Sequence, residues 1–189
     1  YEALHVPGGV LKYGIPEFRL PNDTIDLEVN NMKKLGVKIE TDVVIGQLFT
    51  IPDIMGRMGF DAVFVATGAG APTLMNIHGE ANLMAGYEHP RSDTPVGMGR
   101  RVAVIGAGNT AMDAGRVALR MGAEMVTIVY RRTRAESPAR AEELEHAIEE
   151  GVIFRWLTAP VSIAGNDQGW AEGNPDLFIR NVKQRRGYH

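Results

Sequence analysis

The residues best suited by type and spacing to a chemical task are Gly106-Ala-Gly108-Asn109-Thr110-Ala111 and, one strand further on, Tyr130-Arg131-Arg132. A pyrophosphate is held by main-chain N–H groups at close range and by the positive end of a helix. The first glycine of such a turn permits the tight passage from strand to helix. The second leaves room for phosphate against the backbone, and a small third residue lets helix and strand pack closely. Gly106, Gly108 and Ala111 stand at those places, with Asn109 and Thr110 between them. A bare G-x-G-x-x-[GA] run is common in glycine-rich loops and gains meaning where it follows a strand and opens a helix. Arg131 lies 25 residues after Gly106, where a site for an unphosphorylated ribose carries an acid. Guanidinium groups bind phosphate through forked planar donors. Arg131 and Arg132 therefore favour NADPH over NADH, with Arg134 and Arg140 as further donors. The structural alternatives are a glycine turn that only packs and a basic turn that is only solvated.

The elements that must position these residues are legible. Val102–Ile105 reads as a buried strand, 109–121 as a helix rich in Ala, Met, Val and Leu, and Val126–Tyr130 as the next strand. Together they form a β–turn–α–β unit. Pro138 is expected to open a helix to Glu150, followed by a strand over Val152–Leu157. Residues 100–140 hold eight arginines against Asp113, Glu124 and Glu136, whereas 141–150 hold five glutamates and no Lys or Arg. The glutamates read as the exposed face of their helix, beside a basic field able to steer an anion. Upstream, Asp23 or Thr24 can cap a helix running to Leu35, with Gly36 as its stop. Val37–Ile45 is a strand candidate. Asp61–Thr67, closed by Gly68, has the nearly continuous apolar character of a strand buried on both faces of a parallel sheet.

Composition narrows the possibilities. The chain has 189 residues, 22 glycines, no cysteine and a net charge of -3. Without cysteine, these residues hold no disulfide, thiolate metal site or C-x-x-C pair. The five histidines have no metal-like spacing, so no metal ligand is assigned; no catalytic side chain is assigned, because the reactive atoms of the chemistry expected here belong to cofactors. No apolar run approaches a membrane span, and the near-neutral charge gives no reason to expect nucleic acid.

Beyond these motifs the sequence resembles a known family. Glu2-Ala-Leu-His-Val-Pro-Gly8-Gly9 through Arg19-Leu-Pro21 looks like the flavin segment of the NADPH-dependent glutamate synthase small (beta) subunit family. Val102 to Asp113 resembles its NADPH motif, and Val129-Tyr-Arg-Arg132 with Ser137-Pro-Ala-Arg140 its 2′-phosphate segment. Dihydropyrimidine dehydrogenase and ferredoxin:NADP oxidoreductase subunits share the architecture. The resemblance implies an α/β fold of Rossmann-like three-layer nucleotide-binding domains, an FAD-type domain with an NADPH-type domain inserted. It implies a partial FAD-binding domain over 1–80, a linker over 81–99, a partial NADPH-binding domain over 100–173 and a tail over 174–189 returning to the FAD domain. Glu2 then accepts the adenosine ribose hydroxyls, Gly8 and Gly9 let the backbone approach flavin and pyrophosphate, and Arg19 faces phosphate or the flavin edge. Thr67 and Gly68 form the turn beside FAD, and Asn109 lies beside the NADPH pyrophosphate. The implied activity passes hydride from NADPH to FAD and electrons to a large partner such as the glutamate synthase alpha subunit, in the cytoplasm. Any iron–sulfur clusters that the resemblance implies lie outside this chain.

The sequence departs from that family's pattern in three places. The family's first strand and FAD glycine motif are expected before Tyr1. His78-Gly79-Glu80 meets Ala81 too soon, and Asn174-Pro175-Asp176-Leu177 resembles a much later part of the family. A chain assembled from separate pieces is expected, with breaks near Glu80 and Gly173. A disulfide reductase is disfavoured by the absence of cysteine, and a non-catalytic NADPH-binding module is the remaining alternative.

Overall fold

The 3–4 spacing of Ile25, Val29, Met32 and Leu35 is realised as a helix in the computed structural model, which describes residues 1–68, 74–80 and 99–164 and the backbone of 179–181. The chain divides into two compact units, Tyr1–Pro72 and Thr73–His189. The junction after Glu80, the one at Gly173 and most of the expected linker lie outside the described residues.

The described residues of the first unit hold three helices: α1 (Val10–Tyr13), α2 (Asn22–Lys34) and α3 (Ile51–Gly56). α2 is capped by Pro21 rather than by Asp23 or Thr24, and of its apolar stripe only Ile25 is buried. A Thr50–Asp53 capping box starts α3. Neither expected strand forms. Over Val37–Ile45, Asp42 takes φ +59° and only Ile45 bridges Phe49. Glu2 N donates to Glu40 O at 2.9 Å and Val43 N to Glu2 O at 3.0 Å, without a continuing ladder. Asp61–Thr67 has no strand partner among the described residues, and Phe64 is 92% exposed. An apolar run becomes a buried strand only when neighbours satisfy its backbone on both edges and cover both its faces. The described residues of this unit supply no such neighbours.

The second unit meets that requirement. β1 (Arg101–Ile105), β2 (Met125–Val129) and β3 (Ile153–Arg155) form a parallel sheet in that order. Ile105 stands opposite Val129, and Ile128 opposite Phe154. α4 (Asn109–Arg120) and α5 (Ala141–Glu149) make the crossovers. Met112, Val126, Ile128 and Ala147 are fully buried at the heart of the core. A Cβ at Gly115 would stand 3.4 Å from Ile128 Cδ1, in van der Waals contact, so α4 lies close on the sheet here. α5 begins at Ala141, not Pro138, because 137–140 is drawn into an extended path over the glycine turn. A turn at Trp156-Leu157 leads to β4 (Thr158–Pro160), which pairs antiparallel with β5 (Ile179–Asn181). His78 bridges Ser162, and Gly79 passes so close to Ile163 that a Cβ there would clash with its carbonyl.

Candidate functional site

The glycine turn leaves the sheet at the end of β1. Gly106 adopts φ +116°, a conformation L-side chains rarely take, and its N–H donates to Val129 O at 2.9 Å. That bond ties the turn to the last residue of β2, two residues before Arg131. α4 then begins: Ala111 N and Met112 N both donate to Gly108 O. The N–H groups of Ala107, Gly108, Asn109 and Thr110 have no acceptor among the described residues. A Cβ at Gly106 would meet nothing within 4 Å, and one at Gly108 only Pro138 Cγ at 3.9 Å. Open space, unsatisfied donors and the start of a twelve-residue helix coincide, so these residues fit a pyrophosphate. Ala111 is buried against the core, as the third position of the motif requires; Thr110 is exposed at the helix start.

The stretch between β2 and α5 is fastened to that turn. Ser137 Oγ donates to Ala107 O at 2.8 Å, Ala139 N to the same carbonyl at 3.2 Å, and Arg140 N to Asn109 Oδ1 at 3.0 Å. On its other side, Leu157 N donates to Arg132 O at 3.0 Å. Within the stretch, Tyr130 Oη donates to Glu136 O at 3.0 Å. A capping box joins Thr133 to Glu136. The Thr133 N–H, then its hydroxyl, hold the Glu136 carboxyl below the ordinary range, and Arg132 acts in the same direction. The side chains of Arg131, Arg132 and Arg140 are exposed, and none makes an ion pair among the described residues. Arg134, in contrast, pairs with Glu145.

The glutamates of α5 are more than a solvated face. Buried Arg116 pairs with Glu143 at 3.1 Å and Glu150 at 2.9 Å, and Arg120 pairs with Glu150 at 2.7 Å. Arg120, and then Arg116, pull the Glu150 carboxyl down to about 2. These pairs clamp α4 to α5 behind the turn. They remove two arginines from the basic field and leave the exposed arginines of the β2 end and the α5 start.

The flavin candidates all fall in the first unit. Glu2 spends one carboxylate oxygen on Leu4 N at 2.9 Å. Gly8, at φ +131°, lies against Lys12 and Ile25, while Gly9 caps α1 at φ +51° with open space beside it. Arg19 is half-buried, whereas Thr67 and Gly68 are exposed at the end of the unpaired apolar run. No β–turn–α–β unit gathers these six residues among those described, so the glycine turn fits a pyrophosphate and these six do not form a flavin site by themselves. Among the described residues no acidic or histidine cluster suits a metal, and no helix is long and apolar enough to cross a membrane.

Sequence reasoning passed over the roles of Ser137, Tyr130 and the Thr133–Glu136 box. The box was legible as Thr-x-x-Glu. The Ser137 bond was not, because it joins residues thirty apart.

Residues 8–182 match the family model for pyridine nucleotide-disulphide oxidoreductases, and the chain belongs to that family. FAD and NAD(P)H are the cofactors of these reductases. The chain is 40% identical to the NADP(+)-dependent formate dehydrogenase subunit beta of Moorella thermoacetica, over 89% of this chain and 25% of that protein. It is 32% identical to the glutamate synthase [NADPH] small chain of Azospirillum brasilense, over 88% of this chain and 38% of that one. FprA from Mycobacterium tuberculosis shares the fold with a TM-score of 0.67 at 20% identity, over 87% of this chain and 53% of that one. The chain spans well under half the length of either curated relative. With no cysteine, these residues perform none of the thiol chemistry in the family's name.

Proposed function

We propose that the chain is the cofactor-binding part of an NADPH-dependent FAD oxidoreductase subunit of the glutamate synthase small-subunit type. The observation that carries this reading is one juxtaposition: an open glycine turn at the start of α4, and Arg131 and Arg132 with no acid at the end of β2. In this reading residues 1–80 belong to an FAD domain and 100–173 to an NADPH domain, joined by 81–99, with 174–189 returning to the first. The free N–H groups of Ala107–Thr110 bind the pyrophosphate, and Gly106 and Gly108 admit it. Arg131, Arg132 and Arg140 neutralise the 2′-phosphate. Glu2, Gly8, Gly9, Arg19, Thr67 and Gly68 contribute to flavin binding in the parent protein. When bound, NADPH supplies a hydride and FAD takes it up, so the protein's part is placement and electrostatics. No side chain of this chain is assigned a proton transfer.

The electrons pass to a partner subunit, the glutamate synthase alpha subunit in the leading reading, within the cytoplasm. The likeness to a formate dehydrogenase beta subunit favours a second reading, a reductase subunit of the ferredoxin:NADP or dihydropyrimidine dehydrogenase type serving another acceptor. The full-length protein tests the core of both. It is expected to show a flavin band at about 450 nm that NADPH bleaches far faster than NADH. Absence of the band from full-length protein refutes the oxidoreductase reading and leaves an NADPH-binding module. The acceptor is identified by which co-purified subunit is reduced under single turnover.

A further inference from the structure

We infer that Ser137 and Asn109 are positioning residues that confer preference for a 2′-phosphorylated cofactor by fastening the arginine-bearing loop to the glycine turn. The inference rests on reading the second unit as an NADPH site and assigns a role that the arginines alone do not explain. Exposed arginine side chains have many rotamers, and holding them against one phosphate costs conformational entropy. That cost falls when the backbone carrying them is already fixed relative to the rest of the ligand's site.

The loop is fixed in this way at three places. Ala107, the residue between the two glycines, gives its carbonyl to Ser137 Oγ at 2.8 Å and to Ala139 N at 3.2 Å. Asn109, the first residue of α4, gives Oδ1 to Arg140 N at 3.0 Å. Leu157 N holds Arg132 O at 3.0 Å. Arg131, Arg132 and Arg140 are therefore carried on main chain tied at both ends, and the glycine side of the tie runs through two side chains and the Ala139 N–H. Ser137 is the more telling of the two. Its hydroxyl points back into the fold and is part-buried, so it acts on the loop. Asn109 uses its side-chain oxygen on Arg140, leaving only its amide nitrogen and its backbone N–H for a phosphate. It is thus a joint between the two halves of the site as well as a neighbour of the pyrophosphate.

The two halves of the ligand can be read separately, without turnover. Titration calorimetry on full-length protein uses 2′-phospho-ADP-ribose and ADP-ribose, which share the pyrophosphate and differ only in the 2′-phosphate. Ser137→Ala is expected to weaken 2′-phospho-ADP-ribose about 5- to 10-fold, the worth of one well-placed hydrogen bond, and ADP-ribose less than about 2-fold. Ser137→Thr, which keeps the hydroxyl, restores the preference, and Asn109→Ala, which removes a neighbour of the pyrophosphate as well as the Arg140 bond, is expected to weaken both ligands and to lower the ratio between them. Equal weakening of both ligands by Ser137→Ala, or no weakening of either, overturns the inference while leaving the NADPH reading intact. A wild-type protein that binds the two ligands equally overturns the NADPH reading and the inference with it.

Discussion

Two apolar runs of the same character meet opposite fates in the two units. Val102-Ala-Val-Ile105 lies in β1 with a parallel neighbour along its whole length. Ala62-Val-Phe-Val-Ala66 has no strand beside it among the described residues, and Phe64 and Val65 are 92% and 61% exposed. Both are short, β-branched and nearly continuous, so propensity does not separate them. The difference is whether a β–α–β crossover brings a second strand alongside. In the second unit, α4 and α5 return the chain twice in the same sense, and each return adds a strand in register. Among its described residues the first unit has one long helix and nothing equivalent. A parallel strand is a property of the assembled sheet, and its residues record only that they would suit one.

Stability measurements can break that comparison. Met112→Ala, at a fully buried position between α4 and the sheet, is expected to cost about 2–5 kcal/mol in chemical denaturation. Phe64→Ala in this 189-residue chain is expected to cost less than about 0.5 kcal/mol, as at an ordinary surface site. Equal costs at the two positions mean that the run at 62–66 is packed and that the contrast between the units is wrong. The same pair measured in the full-length protein sharpens the point, since a large cost at Phe64 there means that the run at 62–66 is covered in that protein.

Cofactor choice is expected to reside in the second unit. Replacing Arg131 and Arg132 together by Ala should weaken NADPH by about 100-fold, each charge-assisted bond being worth roughly 1.5–3 kcal/mol. NADH should change by less than about 3-fold, because it carries no 2′-phosphate. Binding isotherms with both nucleotides check this, and a similar loss for both contradicts the 2′-phosphate role.

The smallest effect concerns the clamp behind the site. The Glu150 carboxyl is pulled to about 2 by Arg120 and Arg116, so its stabilising charge is fully present above its ordinary value of 4.5. That contribution is lost as pH falls from 4.5 toward 2. Glu150→Gln should therefore lower stability by about 1–2 kcal/mol at neutral pH, the half-exposed Arg120 arm being screened by solvent. The gap to wild type should close across that acid window. A gap that persists below pH 2 assigns the effect to packing.

Much of the candidate site is legible in the sequence because its parts are local. The glycine spacing, the helix behind it and the arginines one strand on are consequences of a single β–turn–α–β unit. The sequence points to Pro138 as the start of α5 because proline at a helix start is a local signal, whereas the bonds that keep 137–140 extended come from Ala107 and Asn109. The glutamates of α5 read as solvated because charge alone does not reveal a buried arginine on the next helix. The strands of the first unit were overread for the complementary reason, a local pattern without the partners it needs.

The sequence by itself determined the turn chemistry: where a backbone could take positive φ, where a helix could open toward a phosphate, and which charge stands at the end of the second strand. These follow from one residue's stereochemistry or from spacing along a single element. Only the tertiary structure decided which strands exist and which arginines are spent on Glu143, Glu145 and Glu150. It also decided that the arginine loop is tied to the glycine turn through Ser137 and Asn109. Those outcomes depend on hydrogen bonds and ion pairs between residues far apart in the chain, whose geometry exists only once the sheet has formed.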